Sequence, residues 1–427
     1  MAPAGAYAVW IALAAAALAT IAARRRAAAR WQPVTLATVA SASVVAFAFV
    51  SWGRATPLGD FNKAYYPAGT SIFGDPSQLY ECDAGNLCFV NIPIVAAPFA
   101  PLAAIGRLPA QVVFSFAGAA AAAAAAWLLI RELHAEGATR YAIVALFALN
   151  GPLLYSARLG NLTHVMLPLL VVAFAALTRG REGRGGVLFG VLALIKPPLL
   201  LFLAYLIFRR RWRAVLATIA TTIAAGVVSV AAVGLEAHRI WLTQVIGPFA
   251  NRPVAAYNVQ SIAGMLAHFL RPDDLASWVP LEVSRSFIAM DYALVVLVLA
   301  VVAATLLATG APPTRSAQWA ELSIVLVVVL LVSPLTWTHY YAFCVIPLAG
   351  YATGAIIASS AGARLAIAAS AALVSAPVVL WLPQVRILGS LIARVGISHY
   401  VFGALMLLGA LCATRVAQRE PAAVACS

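Results

Sequence analysis

The sequence predicts an all-α polytopic integral membrane protein with about 11 full spans and one half-length helical hairpin. Of the 427 residues, 63% are hydrophobic and 10% are charged, whereas a soluble domain has about 25% charged residues. The mean hydropathy is +0.94. The basic residues stand in short clusters between apolar runs, which is typical of loops between membrane helices. The net charge of +14 therefore indicates membrane orientation and no nucleic-acid partner.

The predicted full spans are apolar runs close to the length that crosses a bilayer, about 20 residues. The first run is followed by Arg24, Arg25, Arg26 and Arg30, whereas a cleaved signal peptide carries its positive charge before the apolar core. The first helix is therefore predicted to be uncleaved, with the N-terminus outside. The spans lie at 6–23, 34–52, 110–130, 141–157, 161–178, 214–234, 287–309, 319–333, 341–359, 365–381 and 400–416.

Charge distribution predicts a cytoplasmic C-terminus. In this topology 17 arginines fall in short cytoplasmic segments, and 10 basic residues are spread over longer outer loops, as the positive-inside rule requires. We expect an extra N-terminal helix with its arginine cluster (1–33), a membrane domain (34–416) and a cytoplasmic tail (417–427). The long outer loops of the membrane domain are 53–109 and 235–286.

Lys196 is predicted at the apex of the half-length hairpin. It is followed by Pro197 and Pro198 and divides an apolar run between two arginine clusters that both look cytoplasmic. Two arms of about 18 Å each cannot cross a core of about 30 Å, but a hairpin keeps both clusters inside. A lysine at such a break indicates a ligand site. The alternative is a structural ion pair with Asp291 or Glu321.

Asp60 opens the first polar outer loop, close to Lys63, Tyr65 and Tyr66. A carboxylate there fits a general base, but this stretch alone favours an ordinary solvated loop acid. The run Asn91 to Gly106 contains three prolines and is predicted to be re-entrant or interfacial.

Three further polar clusters fall on the outer side. Trp337 and His339 stand at an outward helix end, where they fit either an aromatic belt or a phosphate contact. Asn258, Gln260 and Ser261 fit either a helix cap or a sugar ligand. Another outward turn holds Arg158, Asn161 and His164, and a capped turn explains it equally well.

Cys82 and Cys88 are close enough for a disulfide in an oxidising compartment. Four acidic residues share one loop and could in principle bind a divalent metal: Asp60, Asp75, Glu81 and Asp83. Their spacing does not match a known set of metal ligands, so we predict no metal and no other cofactor.

The sequence has no glycine-rich phosphate loop. An enzyme of this kind would therefore use a membrane-borne activated substrate.

The ordered set of motifs resembles glycosyltransferase family 87 (DUF2029), of the polytopic glycosyltransferase-C superfamily, over roughly residues 34–416. The matching elements are Asp60 with Tyr65-Tyr66, Leu79-Tyr80, Asn91-Ile92-Pro93, Gly160-Asn161, Gly190 through Lys196-Pro197-Pro198 to Arg213, Asn258 to Gly264, and Ser333-Pro334 to Tyr341. Where many relatives have Asp-His-His after Ser-Pro-x-x-Trp, this chain has Thr338-His339-Tyr340.

The resemblance implies a membrane hexosyltransferase similar to polyprenyl-phosphate-mannose-dependent mannosyltransferases of cell-envelope glycolipid synthesis. It implies transfer from a polyprenyl-phosphate sugar to a lipid-linked or glycan hydroxyl, at the outer face of a bacterial cytoplasmic membrane. Asp60 matches the family's catalytic acid. We expect Lys196, His339 and Arg158 at the donor phosphate, and the following residues at substrate: Lys63, Tyr65, Tyr66, Asn161, Asn258, Gln260, Ser261 and Trp337.

Two points stay open at this stage. The sugar is most simply mannose, with arabinofuranose or a different hexose as alternatives. A transporter or flippase of lipid-linked sugars would explain the broken helices and Lys196 as well. It would not explain polar loops concentrated on one side.

Overall fold

The computed structural model describes residues 9–17, 19, 57–81, 89–377 and 394–419, and this part of the chain consists of helices joined by turns and irregular loops, with one isolated β-bridge. Residues 9–17 are helical. The later α-helices are α1 (Tyr66–Ser71), α2 (Ala100–Ala104), α3 (Arg107–Glu132), α4 (Gly137–Ala148), α5 (Gly151–Leu159), α6 (Thr163–Thr178), α7 (Glu182–Ile195), α8 (Leu201–Phe208), α9 (Trp212–Val233), α10 (Leu235–Ile240), α11 (Ile262–Leu270), α12 (Arg285–Thr309), α13 (Arg315–Val332), α14 (Val345–Thr353), α15 (Ala361–Ser375) and α16 (His399–Ala417).

Short 3₁₀ and π turns join or extend these helices. The π turns are Phe61–Tyr65 and Trp241–Ile246. The 3₁₀ turns are Pro76–Tyr80, Pro93–Phe99, Pro197–Leu200, Gly247–Phe249, Pro272–Asp274 and Thr338–Cys344.

Five helices in the described part are long and apolar enough to cross a membrane, namely α3, α9, α12, α13 and α16. The pair α4 and α5, separated by a short break, passes the same test together, which gives up to six. These helices indicate a membrane protein. They do not confirm the predicted count of about 11 spans, three of which (6–23, 34–52 and 365–381) lie partly or wholly outside the described residues.

Several predicted spans are shorter in the structure than in the sequence pattern. The span predicted at 341–359 begins as the 3₁₀ turn Thr338–Cys344 and ends when α14 stops at Gly354, whose φ is 77°. The run predicted at 365–381 forms α15, which ends at Ser375. Hydrophobicity marks such runs correctly, but glycine and proline set where the helices end.

The chain divides into two compact units. The first unit consists of Met1–Val44, Leu129–Pro152 and Pro253–Ser427, and the second of Val45–Leu128 and Leu153–Arg252.

In the second unit the chain turns back at Lys196, as the sequence predicts. The Phe189 ring of α7 stacks on the Phe202 ring of α8 with centroids 4.3 Å apart, so the two arms lie side by side. A Cβ on Gly186 would meet the Ala214 carbonyl oxygen, and four residues later a Cβ on Gly190 would meet the Thr221 side chain. Since α7 and α9 thus run in parallel, the segment between them must return.

The same geometry brings the two arginine clusters to one end of this unit. The Arg211 guanidinium, before α9, donates to the Leu177 carbonyl near the end of α6 at 3.1 Å. This is the arrangement that the predicted hairpin requires.

Contacts in the first unit agree with the predicted alternation of its loops. Segments predicted on the cytoplasmic side touch, because Arg315 pairs with Glu132 at 3.0 Å and Arg415 donates to the Gly310 carbonyl at 3.1 Å. Segments predicted on the outer side touch as well: the Asn150 amide donates to Ser375 Oγ at 3.4 Å. Which of the two faces is outside stays a prediction.

Candidate active site

Asp60 stands at the start of a helical segment that continues through the π turn Phe61–Tyr65 into α1. The next residue, Phe61, is fully buried and anchors the segment. Its ring centroid lies 4.7 Å from that of Phe114 on α3 and 6.3 Å from that of Phe99. Burial of this aromatic group fixes the backbone from which the Asp60 carboxylate projects.

A turn at Gly160 meets this segment. Gly160 has a φ of +68°, and a Cβ there would lie 2.7 Å from the Phe61 Cβ. The Leu58 amide donates to the Arg158 carbonyl at 2.7 Å. Because only glycine combines this φ with so close an approach, Gly160 determines where the following residue, Asn161, is placed.

Asn161 binds the Asp60 carboxylate. Its Nδ2 donates to Asp60 Oδ2 at 2.9 Å. Its Oδ1 accepts from the Thr163 backbone N at 3.1 Å and from Thr163 Oγ1 at 3.0 Å. Thr163 is the first residue of α6, so the amide joins a helix start to the carboxylate.

Lys196 supplies positive charge near Asp60. It is the residue at which α7 ends, and 6% of its surface is exposed. The preceding residues, Leu194 and Ile195, pack in the same apolar cluster as Phe61 and Leu162. The hairpin apex therefore lies in the neighbourhood of Asp60, and the Lys196 charge favours the ionised carboxylate.

Burial dominates the ionisation of Asp60. It raises the pKa of this carboxyl above its ordinary value, while the Asn161 hydrogen bond and the Lys196 charge lower it by smaller amounts. A carboxylate with a raised pKa is a better proton acceptor than a solvated one. A base and a cation in the same region can remove a proton and stabilise an anion.

Other predicted site residues of the second unit have mixed environments. Lys63 is exposed. The Tyr65 ring is buried and stacked on Phe99 at 4.8 Å, and the Tyr66 hydroxyl donates to the Ala103 carbonyl at 3.4 Å. Arg158 is half-buried. The two tyrosines therefore help to hold the loop in place. Their contacts with Phe99 and Ala103 are structural and do not indicate a contact with substrate.

The two motifs of the first unit that are predicted on the outer side pair with each other. Val259 and Trp337 form an antiparallel β-bridge. The backbone N–H of Gln260 donates to the Thr336 backbone carbonyl at 2.5 Å, and the backbone N–H of Thr338 donates to the Asn258 backbone carbonyl at 2.8 Å. Motifs about 80 residues apart in the sequence thus form one local structure.

Most polar side chains in these motifs have structural partners. Ser261 Oγ caps α11 by accepting from the Gly264 N at 3.1 Å, so the cap interpretation is confirmed for this residue. Gln260 Nε2 donates to the carbonyls of Ile397 and Tyr257. Asn258 Oδ1 accepts from Trp278 Nε1 at 3.0 Å.

His339 is 4% exposed, and its ring meets that of Tyr340 edge-on with centroids 4.9 Å apart. The expectation that His339 and Asn258 serve the same site as Asp60 stays a prediction. Glu321, considered above as a partner of Lys196, forms a buried ion pair with Arg415 at 2.7 Å.

Two contributors were missed by sequence reasoning. Gly160 was noted only as part of a motif, and Thr163 was not singled out. The signal was present, because an Asn-x-Thr triplet at 161–163 stands immediately before an apolar helix, where such side chains cap the first turn.

No group of three or more His, Cys, Asp or Glu side chains that could hold a metal occurs among the described residues. Asp83, Cys82 and Cys88 lie outside them, so the predicted disulfide stays a prediction.

Comparison with known proteins gives one match. The family model for glycosyltransferase family 87 matches residues 89–334, which is more than half of the chain. Asn161, Lys196 and Ser261 lie inside the matched range, and Asp60 and His339 lie outside it. No curated protein and no solved structure matches the chain.

Proposed function

Since the chain belongs to glycosyltransferase family 87 and is a membrane glycosyltransferase, we propose that it transfers a sugar from a polyprenyl-phosphate donor. The acceptor is a hydroxyl of a lipid-linked molecule or glycan, and mannose is the first candidate for the sugar. The reaction takes place at the outer face of a bacterial cytoplasmic membrane.

The observation that carries this proposal is the meeting of Asp60, Asn161 and Lys196. The three residues come from three separate segments of the chain. Each segment is fixed by backbone hydrogen bonds or by packing in the apolar core. A half-buried carboxylate under the influence of a buried lysine is costly for a fold, and it is typical of a site that handles charge in a reaction.

The proposed step is an inverting displacement. Asp60 accepts the proton of the acceptor hydroxyl, and the oxygen attacks the anomeric carbon. The bond between that carbon and the phosphate oxygen breaks as the new glycosidic bond forms, and polyprenyl phosphate leaves with the electron pair. The base acts only within hydrogen-bond reach of the hydroxyl, about 2.6–3.2 Å.

Lys196 stabilises the charge that develops on the leaving phosphate, and we assign Arg158 to the same phosphate. Each such contact is worth a few kcal/mol, or about 100-fold in rate. The remaining candidates of the second unit, Lys63, Tyr65 and Tyr66, are proposed to border the acceptor and sugar.

The experiment that tests this proposal uses the purified chain in lipid vesicles with polyprenyl-phosphate mannose. The expected result is stoichiometric release of polyprenyl phosphate and appearance of a mannosylated acceptor. Polyprenyl-phosphate arabinofuranose and polyprenyl-phosphate glucose identify the sugar, and a nucleotide sugar tests the donor class. Movement of the intact donor across the vesicle without release of polyprenyl phosphate would instead show a carrier and contradict the proposal.

A further inference from the structure

The orientation of the Asn161 amide is fixed by its own hydrogen bonds. Both Thr163 groups that face Oδ1 are donors, the backbone N–H and the hydroxyl. A rotated amide would place its NH₂ against a backbone N–H and its oxygen against the Asp60 carboxylate, and each contact would be repulsive. The NH₂ group is therefore directed at Asp60 by Thr163.

This bond makes the two oxygens of Asp60 unequal. In the part of the chain that the structure describes, the carboxylate accepts its hydrogen bond at Oδ2. Oδ2 is thus occupied by a donor that does not react, and Oδ1 is the oxygen left for an incoming hydroxyl. A bond to one oxygen also restricts rotation of the carboxylate, which otherwise has a broad torsional preference.

The backbone holds Asn161 at the required position. Gly160 approaches Phe61, the neighbour of Asp60, and the Leu58 amide bonds to the Arg158 carbonyl at 2.7 Å. Asp60 and Asn161 are therefore connected both through their side chains and through the segments that carry them. A catalytic base needs this kind of rigid support.

We propose that Asn161, oriented by Thr163, is a positioning residue that holds Asp60 by Oδ2 and presents Oδ1 to the acceptor hydroxyl. This inference rests on the proposed function, in which Asp60 is the base. It assigns Asn161 to the base and not to the sugar or the acceptor.

The first test compares Asn161→Ala with wild type in the vesicle assay. A hydrogen bond to a charged group has an effect of roughly 10- to 100-fold, and we expect a loss of this size in kcat with little change in the donor KM. Because the lost bond lowers the pKa of Asp60, the acidic limb of the pH–rate profile should also move to higher pH. A residue that only bound the sugar would raise KM and leave this limb in place.

Asn161→Asp is the matched isosteric variant. It keeps an acceptor for Thr163, so the start of α6 is preserved, but it places a second carboxylate against Asp60. One of the two carboxylates must then stay protonated. We expect wild-type folding and a loss of turnover at neutral pH. This variant decides the question if Asn161→Ala fails to fold.

Thr163 provides an independent second test. Thr163→Val removes the hydroxyl without changing the shape of the side chain, and a loss of about 3- to 10-fold is expected, with the same direction of shift in the acidic limb. Thr163→Ser should restore the profile. The control is Thr178→Val on the same helix, whose hydroxyl donates to the Ala175 carbonyl, and it should leave kcat and the pH profile unchanged.

The outcomes separate the two proposals. An inactive Asp60→Asn with wild-type kcat and pH profile in folded Asn161→Ala, Asn161→Asp and Thr163→Val would overturn the positioning role and leave the base assignment intact. Turnover of Asp60→Asn at the wild-type rate would overturn the proposed function itself.

Discussion

At the scale of single residues, the chemistry depends on how Asp60 is kept ionisable inside the protein. Burial disfavours its charge, while the Asn161 amide and the Lys196 ammonium favour it. The balance leaves the pKa above that of an ordinary carboxyl. Asp60 is therefore a stronger proton acceptor than a solvated carboxylate.

The pH dependence of turnover follows from this balance. The base acts only when ionised, so activity falls as pH drops through the Asp60 pKa, and the fall should begin at a higher pH than the usual carboxyl range near 4. Lys196→Met removes a charge that lowers this pKa, so the acidic limb should move up further. The measurement is kcat/KM against pH.

Lys196→Arg is the control for that prediction. It keeps a positive charge at the apex, so its acidic limb should stay closer to that of wild type even if its rate falls. An acidic limb that is the same in Lys196→Met and wild type would show that the two side chains do not interact electrostatically.

Part of this site could be predicted from residue types alone. Asp60 and Lys196 stand out because ionisable groups are rare in an apolar chain and need a reason to be there. The role of Asn161 could not be predicted, because an asparagine at a turn fits a cap, a sugar contact or a bond to a carboxylate. Only the positions of Thr163 and Asp60 around its two amide atoms distinguish these possibilities.

At the scale of elements, close helix approach determines the site. The α7–α8 hairpin carries Lys196 at its apex, and small residues let α7 pack closely on α9, as at Gly186 and Gly190. The turn between α5 and α6 makes a similarly close contact at Gly160. Packing of this kind leaves no room for a methyl group.

Gly160→Ala should disturb both stability and activity. A left-handed φ costs a non-glycine residue about 1–3 kcal/mol, and the new Cβ would press on Phe61. We expect a lower unfolding temperature in detergent and a reduced kcat, because Asn161 would shift relative to Asp60. The control is Gly226→Ala in α9, where a Cβ meets nothing within 4 Å and the helix should gain about 0.5–1 kcal/mol. Equal melting temperatures for the two variants would contradict this account of the turn.

The buried ion pair of the first unit gives a second prediction at this scale. Arg415 and Glu321 are both fully buried, and Arg415 also donates to the carbonyls of Thr309 and Gly310 at the end of α12. Glu321→Leu leaves a buried charge unpaired and should cost about 3–5 kcal/mol of folding free energy. The double variant Glu321→Leu with Arg415→Leu should recover part of that loss.

Denaturant unfolding in detergent measures this effect. Glu236→Gln is the comparison, because the Glu236–Arg239 pair is exposed and its loss should have no detectable effect on stability. If Glu321→Leu is as stable as wild type, the pair does not hold α12, α13 and α16 together.

At the scale of the whole molecule, hydrophobic runs and charge clusters predicted the class and the grouping of loops better than the number of spans. The helical class follows because backbone N–H and C=O groups in lipid must form hydrogen bonds within the chain. The turn at Lys196 follows from the distribution of arginines along the sequence. Span number does not, because proline and glycine shorten helices such as α14 and α15 within runs of similar hydrophobicity.

Orientation in the membrane is the prediction that belongs to this scale. Lys63, close to Asp60, should face the outside, and Arg184, in the arginine clusters, should face the cytoplasm. Both side chains are exposed. In a cysteine-free background, Lys63→Cys should react with a membrane-impermeant maleimide on intact cells, and Arg184→Cys only after permeabilisation. The reverse pattern would place the site on the cytoplasmic side.

The most direct measurement of the central claim is the turnover of Asp60→Asn in vesicles with polyprenyl-phosphate mannose. The asparagine keeps the shape of the side chain but cannot accept the proton of the acceptor hydroxyl. The account predicts normal expression, nearly unchanged donor binding and loss of released polyprenyl phosphate to the background of protein-free vesicles. Release at the wild-type rate would contradict it.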